Sequence, residues 1–304
     1  MKTLNLIFLI SLFLIITACN PDKGSVYELY YLGGQSNMDG FGYVSELPEG
    51  MIYSESEIFI FHGNTSADDM PVDGKGIWAP LSTGHGTGFS SDGIINTYSD
   101  RFGVEISFGI QMKKLNPDSK IAIIKYSRGG TSIDAEAGNN SGNWDPHYQN
   151  GEGINQYDHF MATVKNSLDI DDIDGDGRDD ILIPSGIIWM QGESDADVNE
   201  EIANRYFENL SELMNLIRDA FGDKKIPVVI GRISDSGNDP SGKVWEFGDI
   251  VRKAQHNFSE KDPNAAIVVS TDSYGYSDPW HYDSKGFIDL GYKFAIALDS
   301  LINN

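Results

Sequence analysis

The sequence predicts a doubly wound, flavodoxin-like α/β domain, in which helices cover both faces of a five-stranded parallel sheet. Short apolar runs alternate along the chain with amphipathic stretches, the order expected of parallel strands joined by crossover helices. The 304 residues are 40% hydrophobic, enough to bury a full core, and only 22% charged, which speaks against disorder. No internal repeat divides the sequence, so we expect one catalytic domain over residues 26–304.

Five apolar runs are predicted as the strands of this sheet: residues 26–32, 120–126, 181–190, 226–231 and 265–270. Apolar residues recur at helical spacing in the segments between and after them: residues 104–114, 156–168, 197–221, 246–257 and 284–302. Residues 48–99, rich in glycine, serine and aspartate, and the irregular residues 134–153 are predicted as long loops. Long loops in an α/β domain usually shape a binding cleft.

The amino terminus predicts a secreted lipoprotein. A lysine at position 2 precedes an apolar run over residues 4–16, and small residues then lead to Cys19. A run this short is typical of a signal peptide, here residues 1–18, and not of a membrane-spanning helix. The segment resembles a bacterial lipobox, which implies that Cys19 carries a lipid and that residues 19–25 tether the domain to a membrane. The alternative is an ordinary signal peptide followed by a chance cysteine.

Two consequences follow from this use of Cys19. Because it is the only cysteine, no thiol is left for a disulfide, a cysteine nucleophile or a thiolate metal site. Asn20, and not an aspartate, follows the cysteine. By the same resemblance, this implies the outer membrane or the cell surface of a Gram-negative cell as the location.

The chain is strongly acidic, with a net charge of -24 and an isoelectric point near 4.4. Such a surface repels phosphates, so nucleic acid is not expected as a partner. A polyanionic substrate is disfavoured for the same reason, unless a local basic group such as Arg128 or Arg232 receives it. A neutral or partly neutralised substrate is therefore favoured.

Polar segments follow four of the five predicted strands, at the sheet edge where open α/β sheets bind ligands. The first strand leads into YYLGGQSNMDG with Ser36, the second into SRGGTS (127–132) and the third into QGESD (191–195). The fifth is followed by Asp272 and by DPWH (278–281). Taken alone, Ser36 fits a helix cap better than a nucleophile. The other three segments at the same edge favour the nucleophile.

These residues match the requirements of serine hydrolysis, which are a hydroxyl, an imidazole base, a carboxylate that holds the base, and donors for the oxyanion. Ser36 can supply the hydroxyl. His281 and Asp278, three residues apart, can supply the imidazole and the carboxylate. Asp272 is an alternative acid, but it would have to reach across a Tyr-Gly-Tyr loop, so Asp278 is favoured.

The same segments carry a family resemblance. GQSNM (34–38), SRGGTSI (127–133), WMQGESDA (189–196) and DPWH (278–281) followed by YDSKGFIDLGYKFA resemble the motif blocks of the SGNH hydrolase superfamily. They are most similar to the branch of sialate O-acetylesterases and acetylxylan esterases, carbohydrate esterase family six. The blocks span residues 34–295 in family order. The resemblance implies an SGNH hydrolase fold and a carbohydrate O-acetylesterase that needs no cofactor for catalysis.

The resemblance also implies roles for single residues. Ser36 would be the nucleophile, His281 the general base and acid, and Asp278 the residue that orients His281. Three further residues of the blocks are expected to support the serine turn: Gln35, Asn37 and Glu193. For Glu193, the alternative is the role of triad acid, although its spacing does not favour it.

Candidate oxyanion donors follow the first three strands. The resemblance implies the backbone N–H of Ser36, a glycine N–H from SRGGTS and the side chain of Gln191. A glycine suits this role because no Cβ blocks the approach of its N–H to a tetrahedral oxygen. Gly129 is favoured over Gly130, which is the second choice. Loss of one such donor lowers a rate on the order of a hundredfold or more.

An acidic loop predicts a structural calcium site. In DIDGDGRDD (172–180), carboxylates stand at positions one, three, five and nine around a glycine-permitted turn, which suits a hard cation. The expected ligands are Asp172, Asp174, Asp176 and Asp180. The loop departs from an EF-hand because position twelve is Ile183, where a bidentate glutamate is needed. The alternative is a solvated acidic turn at the sheet edge opposite the active site.

Other histidines and aromatic residues give weaker signals. No two of the remaining histidines have the sequence spacing of metal ligands: His62, His85, His147, His159 and His256. Some aromatic residues are candidates for stacking on a sugar, with packing under a loop as the alternative: Trp78, Trp144, Tyr148, Tyr274 and Trp280.

The sequence as a whole predicts a membrane-tethered carbohydrate O-acetylesterase with a role in polysaccharide degradation. Acetylated xylan, sialate and other acetylated glycans all fit the substrate. One alternative is an SGNH esterase or lipase for another acyl group. The other is a glycan-binding lipoprotein that has kept the fold and lost activity, against which the intact Ser, His, Asp and Gln of the blocks argue.

Overall fold

The structure, a computed structural model, describes residues 24–51 and 55–303. The predicted signal peptide, Cys19 and most of the tether lie outside these residues. Within the described part of the chain, no helix is both long enough and apolar enough to span a bilayer.

Eleven strands and six α-helices form the described domain. The strands are β1 (Val26–Gly34), β2 (Gly42–Tyr43), β3 (Glu55–His62), β4 (Trp78–Leu81), β5 (Ser90–Ser91), β6 (Asn96–Thr97), β7 (Arg101–Phe102), β8 (Lys120–Ser127), β9 (Ile181–Met190), β10 (Val228–Gly231) and β11 (Ala265–Val268). The helices are α1 (Ser36–Asp39), α2 (Glu105–Leu115), α3 (Gln156–Leu168), α4 (Glu200–Ala220), α5 (Gly248–Lys261) and α6 (Ser284–Asn303). The five predicted helices correspond to α2 to α6.

The central sheet has seven strands in the order β11-β10-β9-β1-β8-β3-β4. The five predicted strands lie next to one another as 2-1-3-4-5, the flavodoxin-like order, and all pair in parallel. The expected count of five was wrong, because β3 and β4 extend the sheet on one side. β3 pairs in parallel with β8, and β4 closes the edge in antiparallel pairing with β3.

The two missed strands of the central sheet lie inside the segment that its glycine, serine and aspartate content marked as a loop. The sequence of β3 is ESEIFIFH, and its apolar half is buried against β8. The eight residues of β3 hardly change the composition of the roughly fifty residues around them, so their apolar strand pattern was not recognised. Pairing with a strand distant in sequence stabilises the segment in spite of its surroundings.

Strand β1 is the centre of the core, and its residues alternate between the two layers of helices. Tyr30 packs edge-on against Phe108 of α2, with ring centroids 5.4 Å apart. Tyr31, on the opposite face, packs against Phe160 of α3 at 4.8 Å. Successive side chains of a strand point to opposite faces, so α2 and α3 cover different sides of the sheet, as predicted. A strand buried on both faces reads as a nearly continuous apolar run.

Gly34 brings the end of β1 close to β9. Its φ is +144°, and a Cβ at this position would overlap the carbonyl oxygen of Met190. Only glycine fits this combination of backbone angle and close approach. The N–H of Gln35 then donates to the Met190 carbonyl at 2.9 Å, which fixes the chain at the carboxyl edge of the sheet just before Ser36.

A buried lysine on β8 holds the segments around α1. Lys125 is fully buried, and its Nζ donates to the Asp39 carbonyl at 2.8 Å, the His85 carbonyl at 2.7 Å and Glu105 Oε2 at 2.8 Å. Glu105 Oε1 accepts from the Gly103 N–H at 2.9 Å. Burial of a charge is tolerated only when the charge is paired and hydrogen-bonded, and both conditions hold here.

We expect Lys125→Met to lower the free energy of unfolding by about 3–5 kcal/mol, because Glu105 is left as a buried charge without its partner. Lys165→Met is the matched control, since Lys165 pairs with Asp169 on the exposed surface of α3 and should leave stability almost unchanged. Urea unfolding of the two variants and the wild type measures the difference. Equal stabilities of the two variants would contradict the structural role of Lys125.

Candidate active site

The polar strand-end segments meet around a cavity of about 440 Å³ at the carboxyl edge of the sheet. Ser36 and His281, separated by most of the chain, both line it. The lining comes from six segments: Gln35, Ser36, Phe41, Gly129, Gly130, Asn139, Ser141, Ser194, Asp197, Trp245, Trp280 and His281. The cavity lies beside the ends of β1 and β9, where the strand order reverses, which is the usual ligand position in this sheet type.

Several of these residues were not predicted. Phe41 and Asp197 stand just outside the motif blocks, and Trp245 lies in the connection from β10 to α5, which carries no strand-end polar motif. Asn139 belongs to the loop of residues 134–153, for which a role in shaping a cleft was expected. Its φ of +44° is unusual for a residue other than glycine.

Ser36 is the first residue of α1, a helix of only four residues. The cap position is taken by Gln35, whose carbonyl accepts from the N–H groups of Met38 and Asp39 at 2.8 Å each. The helix cap is therefore Gln35, and the alternative in which Ser36 caps the helix is wrong. Gly40 follows with its N–H donating to the Ser36 carbonyl at 2.9 Å, so the turn is closed on both sides of the serine.

His281 is held by a carboxylate and by an aromatic ring. Its Nδ1 donates to Asp278 Oδ2 at 2.7 Å, and its ring stacks on Phe41 with centroids 3.6 Å apart and planes 3° from parallel. Asp278 Oδ1 accepts from the N–H groups of Trp280 and His281 at 2.8 Å each. Burial raises the pKa of Asp278, but these hydrogen bonds outweigh it and hold the pKa below its usual value. Asp278 therefore stays ionised beside the imidazole.

The two alternative acids have other partners. Asp272 forms ion pairs with Arg232 and Arg252, the latter at 2.9 Å. Glu193 accepts from Asn37 Nδ2 through Oε1 at 2.8 Å. Only Asp278 of the three contacts His281 among the hydrogen bonds of the described residues.

Gly129 is the glycine next to Ser36. A Cβ at Gly129 would lie 3.4 Å from the Cβ of Ser36, whereas a Cβ at Gly130 would lie 2.5 Å from Ser141 Oγ. The N–H of the preceding residue, Arg128, is already used, since it donates to the Gly34 carbonyl at 3.2 Å. This placement fits the preference for Gly129 over Gly130 as an oxyanion donor.

Gln191 does not have the position expected of an oxyanion donor. Its side chain is fully buried, and its Nε2 faces Asp195 Oδ2 at 2.7 Å, the Thr131 carbonyl at 3.1 Å and Gln35 Oε1 at 3.2 Å. Three acceptors for two amide protons leave nothing for a substrate oxygen. The expectation is corrected: Gln191 supports Gln35 from below the cavity.

Asn37 joins three of the four polar segments. Its Nδ2 donates to Glu193 Oε1 at 2.8 Å and to the Trp280 carbonyl at 3.1 Å. Its Oδ1 accepts from the N–H of Tyr282 at 3.3 Å. The side chain is 1% exposed, so no water competes for these bonds. The serine turn and the two residues that flank His281 are thus held by one amide.

Buried carboxylates surround the serine turn. Burial raises the pKa of Glu193 to about 7, although the hydrogen bond from Asn37 lowers it in part. Burial likewise raises the pKa of Asp195 and of Asp39 to about 6. In the described residues, Glu193 Oε2 has no hydrogen-bond partner. A carboxyl group in such a place favours its neutral form.

The acidic loop brings three of its four predicted ligands together. Carboxylate oxygens of Asp172, Asp174 and Asp176 lie within 4.8 Å of one another. Asp180 does not join them, because its oxygens accept from the N–H groups of Ser25 at 2.7 Å and Ile173 at 3.0 Å. Its expected role as a ligand is corrected to closing the loop against the start of β1. The loop precedes β9 and so lies at the edge opposite the cavity.

The other predicted candidates are mostly structural. His62 and His85 meet with their Nδ1 atoms 3.3 Å apart, but burial and the nearby Lys125 lower the pKa of His85 to about 3 and that of His62 in the same direction. Of the five aromatic candidates, only Trp280 lines the cavity, and it is 50% exposed. Trp144 is fully buried, and the other three donate hydrogen bonds within the fold: Trp78, Tyr148 and Tyr274.

We expect Asn37→Ala to lower kcat for ester hydrolysis by about ten- to a hundredfold with little change in KM, because the segment that carries His281 loses its attachment to the serine turn. Asn166→Ala is the matched control, since its amide also donates to two carbonyls, those of Asp73 at 3.1 Å and Gly74 at 3.0 Å, away from the cavity. Steady-state kinetics on an acetyl ester distinguishes them. An unchanged kcat in Asn37→Ala would contradict this role.

We expect the substitution Glu193→Gln to stabilise the fold relative to the wild type increasingly as the pH rises. The pKa of Glu193 is raised to about 7 in the folded state, from a value near 4.5 in the unfolded chain. Its neutral form therefore contributes fully to the stability of the wild type below pH 4.5. This contribution is lost as the pH rises through 7. Glutamine keeps an acceptor for Asn37 and does not titrate. The difference in unfolding free energy between variant and wild type should grow by up to about 3 kcal/mol between pH 4.5 and pH 8. A difference that does not depend on pH would contradict the assignment.

Comparison with known proteins identifies the family. Over residues 26–300, the sequence matches the family model described as carbohydrate esterase, sialic acid-specific acetylesterase. No curated protein matches the chain. The match covers nearly all of the described domain, and it confirms the resemblance that the motif blocks indicated.

Three solved structures are similar in fold. A protein from Arabidopsis thaliana is 19% identical with a TM-score of 0.61, and the match covers 90% of this chain and 98% of that one. XAC1771, a novel carbohydrate acetylesterase from Xanthomonas citri, is 18% identical with a TM-score of 0.62, over 90% of this chain and 56% of that one. NanS is 12% identical with a TM-score of 0.55, over 92% and 99%. At these identities the likeness shows the fold alone. The family match shows more: the chain belongs to the carbohydrate esterase family of sialic acid-specific acetylesterases, and it is a carbohydrate O-acetylesterase.

Proposed function

We propose that the protein removes O-acetyl groups from a carbohydrate through an acetyl-Ser36 intermediate, with His281 as general base and acid and Asp278 as its partner. One observation carries the mechanism: Ser36 and His281 line the same cavity, and His281 Nδ1 is bound to Asp278 at 2.7 Å. With Nδ1 occupied, Nε2 is the ring nitrogen left to exchange a proton with Ser36.

In the first step, Ser36 Oγ attacks the acetyl carbonyl carbon and its proton passes to His281. The carbonyl oxygen becomes an oxyanion, for which the N–H groups of Ser36 and Gly129 are the proposed donors. The tetrahedral intermediate collapses, the bond to the sugar oxygen breaks, and His281 returns the proton to that oxygen. Asp278 stabilises the imidazolium that forms in between.

In the second step, a water molecule attacks the acetyl-Ser36 carbonyl and gives a proton to His281. Collapse of the second tetrahedral intermediate breaks the bond to Ser36 Oγ, which takes the proton back from His281. Acetate leaves and the free serine is restored. The ionised state of Asp278, which its hydrogen bonds favour, is the state that both steps need.

The cavity supports a sugar ester as the substrate. Its volume of about 440 Å³ is in the range of small-molecule sites, and its wall carries the indoles of Trp245 and Trp280. Trp280 is half exposed, so part of its apolar surface is open to packing against a sugar. Esters of longer acyl groups are the rival substrates within the same chemistry.

Two further proposals come from the sequence. We retain the secreted lipoprotein, anchored to the outer membrane or cell surface by a lipid on Cys19, which rests on residues outside those described. We also retain a structural calcium ion in the loop of residues 172–180, supported by the proximity of three carboxylates: Asp172, Asp174 and Asp176. Two of these carboxylates already face a cation, Asp174 with Lys120 at 3.4 Å and Asp176 with Arg178, which would weaken the binding of calcium.

We expect Ser36→Ala to abolish acetate release from acetylated glycans, and Asp278→Asn to lower kcat by about a hundred- to ten-thousandfold, because the histidine loses its carboxylate partner. Asp272→Asn is the matched control: it removes the alternative acid, which pairs with Arg232 and Arg252, and should change kcat no more than a few-fold.

Acetate release from a panel of acetylated glycans, with circular dichroism to verify folding, makes this measurement. Unchanged release by Ser36→Ala would contradict the nucleophile. A larger loss in Asp272→Asn than in Asp278→Asn would reverse the choice of acid. A clear preference for acyl chains longer than about four carbons would favour the rival substrates.

A further inference from the structure

The charge in the wall of the cavity is negative. Of the described residues that line the cavity, none is a lysine or an arginine, and the carboxylate of Asp197 is the only acidic group. Asp197 follows the QGESDA segment directly and is exposed at the cavity. The N–H of Phe247 donates to the carbonyl of the preceding Ala196 at 2.8 Å, which ties this segment to the loop of Trp245, on the cavity wall.

The charge of a second carboxylate acts on the first. Burial raises the pKa of Asp197, and the negative charge of Asp239 raises it further. Asp239 is kept ionised by hydrogen bonds from the N–H and the hydroxyl of Ser241, at 2.8 and 2.7 Å, which lower its pKa. Asp197 is therefore the carboxylate that meets a ligand in the cavity, and the charge of Asp239 acts on Asp197.

The basic residues around the site have partners of their own. Arg232, which was a candidate receptor for a carboxylate, pairs with Asp272, and Arg252 pairs with the same residue at 2.9 Å. Arg128, the other candidate, is partly buried and is not among the residues that line the cavity, and its Nε donates to the Ser141 carbonyl at 2.7 Å.

Two further basic residues, which line other cavities, are paired as well. Lys243 pairs with Asp249 at 3.2 Å, and Arg205 pairs with Asp134 at 2.8 Å. Among the described residues that line the cavity, no lysine or arginine balances the charge of Asp197.

Anionic and neutral acetylated sugars interact differently with Asp197 in the cavity wall. An acetylated sialic acid or uronic acid carries a carboxylate on its ring and would be repelled by Asp197. At a separation of about 4 Å, even bulk water leaves a like-charge repulsion equivalent to roughly a fivefold change in an equilibrium constant. A neutral sugar has hydroxyl groups that can donate to a carboxylate, so the same residue is favourable to it.

We propose that the cavity selects uncharged acetylated sugars over anionic ones, with Asp197 as the residue that determines this specificity. The inference rests on the proposed deacetylation at Ser36 and names its substrate class. It departs from the sialic acid of the family description, since neither Arg128 nor Arg232, the candidate receptors for a carboxylate, lines the cavity.

The test compares an O-acetylated N-acetylneuraminic acid with its C1 carboxamide, which differ only in the charge on the ring, and adds an acetylated xylo-oligosaccharide as a neutral glycan. The readout is kcat/KM for acetate release. We expect the wild type to prefer the carboxamide over the acid at least threefold, and 0.5 M NaCl to reduce this ratio. Asp197→Asn should bring the ratio close to one.

Asp118→Asn is the matched control. It removes the same charge from an exposed residue before β8, at the sheet edge opposite the cavity, and should leave the ratio at the wild-type value. A preference of the wild type for the acid, or an equal ratio in wild type and Asp197→Asn, would overturn the inference. It would also be overturned by acetate release from the xylo-oligosaccharide with both sialic acid derivatives inert, because charge would then not decide. No release from any of the three substrates would instead count against the proposed function itself.

Discussion

The hydrogen bonds of Asn37 are the constraint on which the rest of the active site depends. The serine turn lies near the start of the domain and His281 near its end, and no element of the sheet connects them directly. The Asn37 amide spans the gap, with Glu193 at 2.8 Å on one side and the Trp280 carbonyl at 3.1 Å on the other. Because its bonds are buried, they fix distances that a solvated contact would leave loose. The stacking of His281 on Phe41, five residues after Ser36, adds a second link between the same two segments.

Buried polar groups on the core side of the serine turn also support the site. Lys125 holds the carbonyl at the end of α1, and Gln191 holds Gln35, the residue before the nucleophile. Such a network costs desolvation free energy, and it stabilises the fold only when its members are paired. The raised pKa values of Asp39, Glu193 and Asp195 are the sign of that cost. Burial costs less for a neutral carboxyl group than for an ionised one, so it moves these pKa values upward.

The sequence predicted the parts of the fold that local periodicity determines. The existence of the five strands and the five long helices follows from apolar spacing and from their alternation along the chain. β3 was missed because its strand pattern is short and lies in a glycine-rich segment. The direction of Gln191 was missed for another reason: Asp195, four residues later, and Thr131, from another strand end, decide where its amide points. Trp245 had no local signal, since only the folded chain brings its loop to the cavity.

The motif that identifies a family and the residue that selects a substrate need not coincide, and the segment WMQGESDA illustrates why. Three of its polar side chains are buried and bind other parts of the scaffold: Gln191, Glu193 and Asp195. A residue used in this way can hardly vary without loss of the fold, which makes it a reliable marker of architecture but a poor marker of substrate. Asp197 directly follows the segment and is exposed, so its charge can change with less effect on the serine turn. Specificity for the sugar is therefore expected from residues such as Asp197, which lie next to the motif and do not hold the scaffold together.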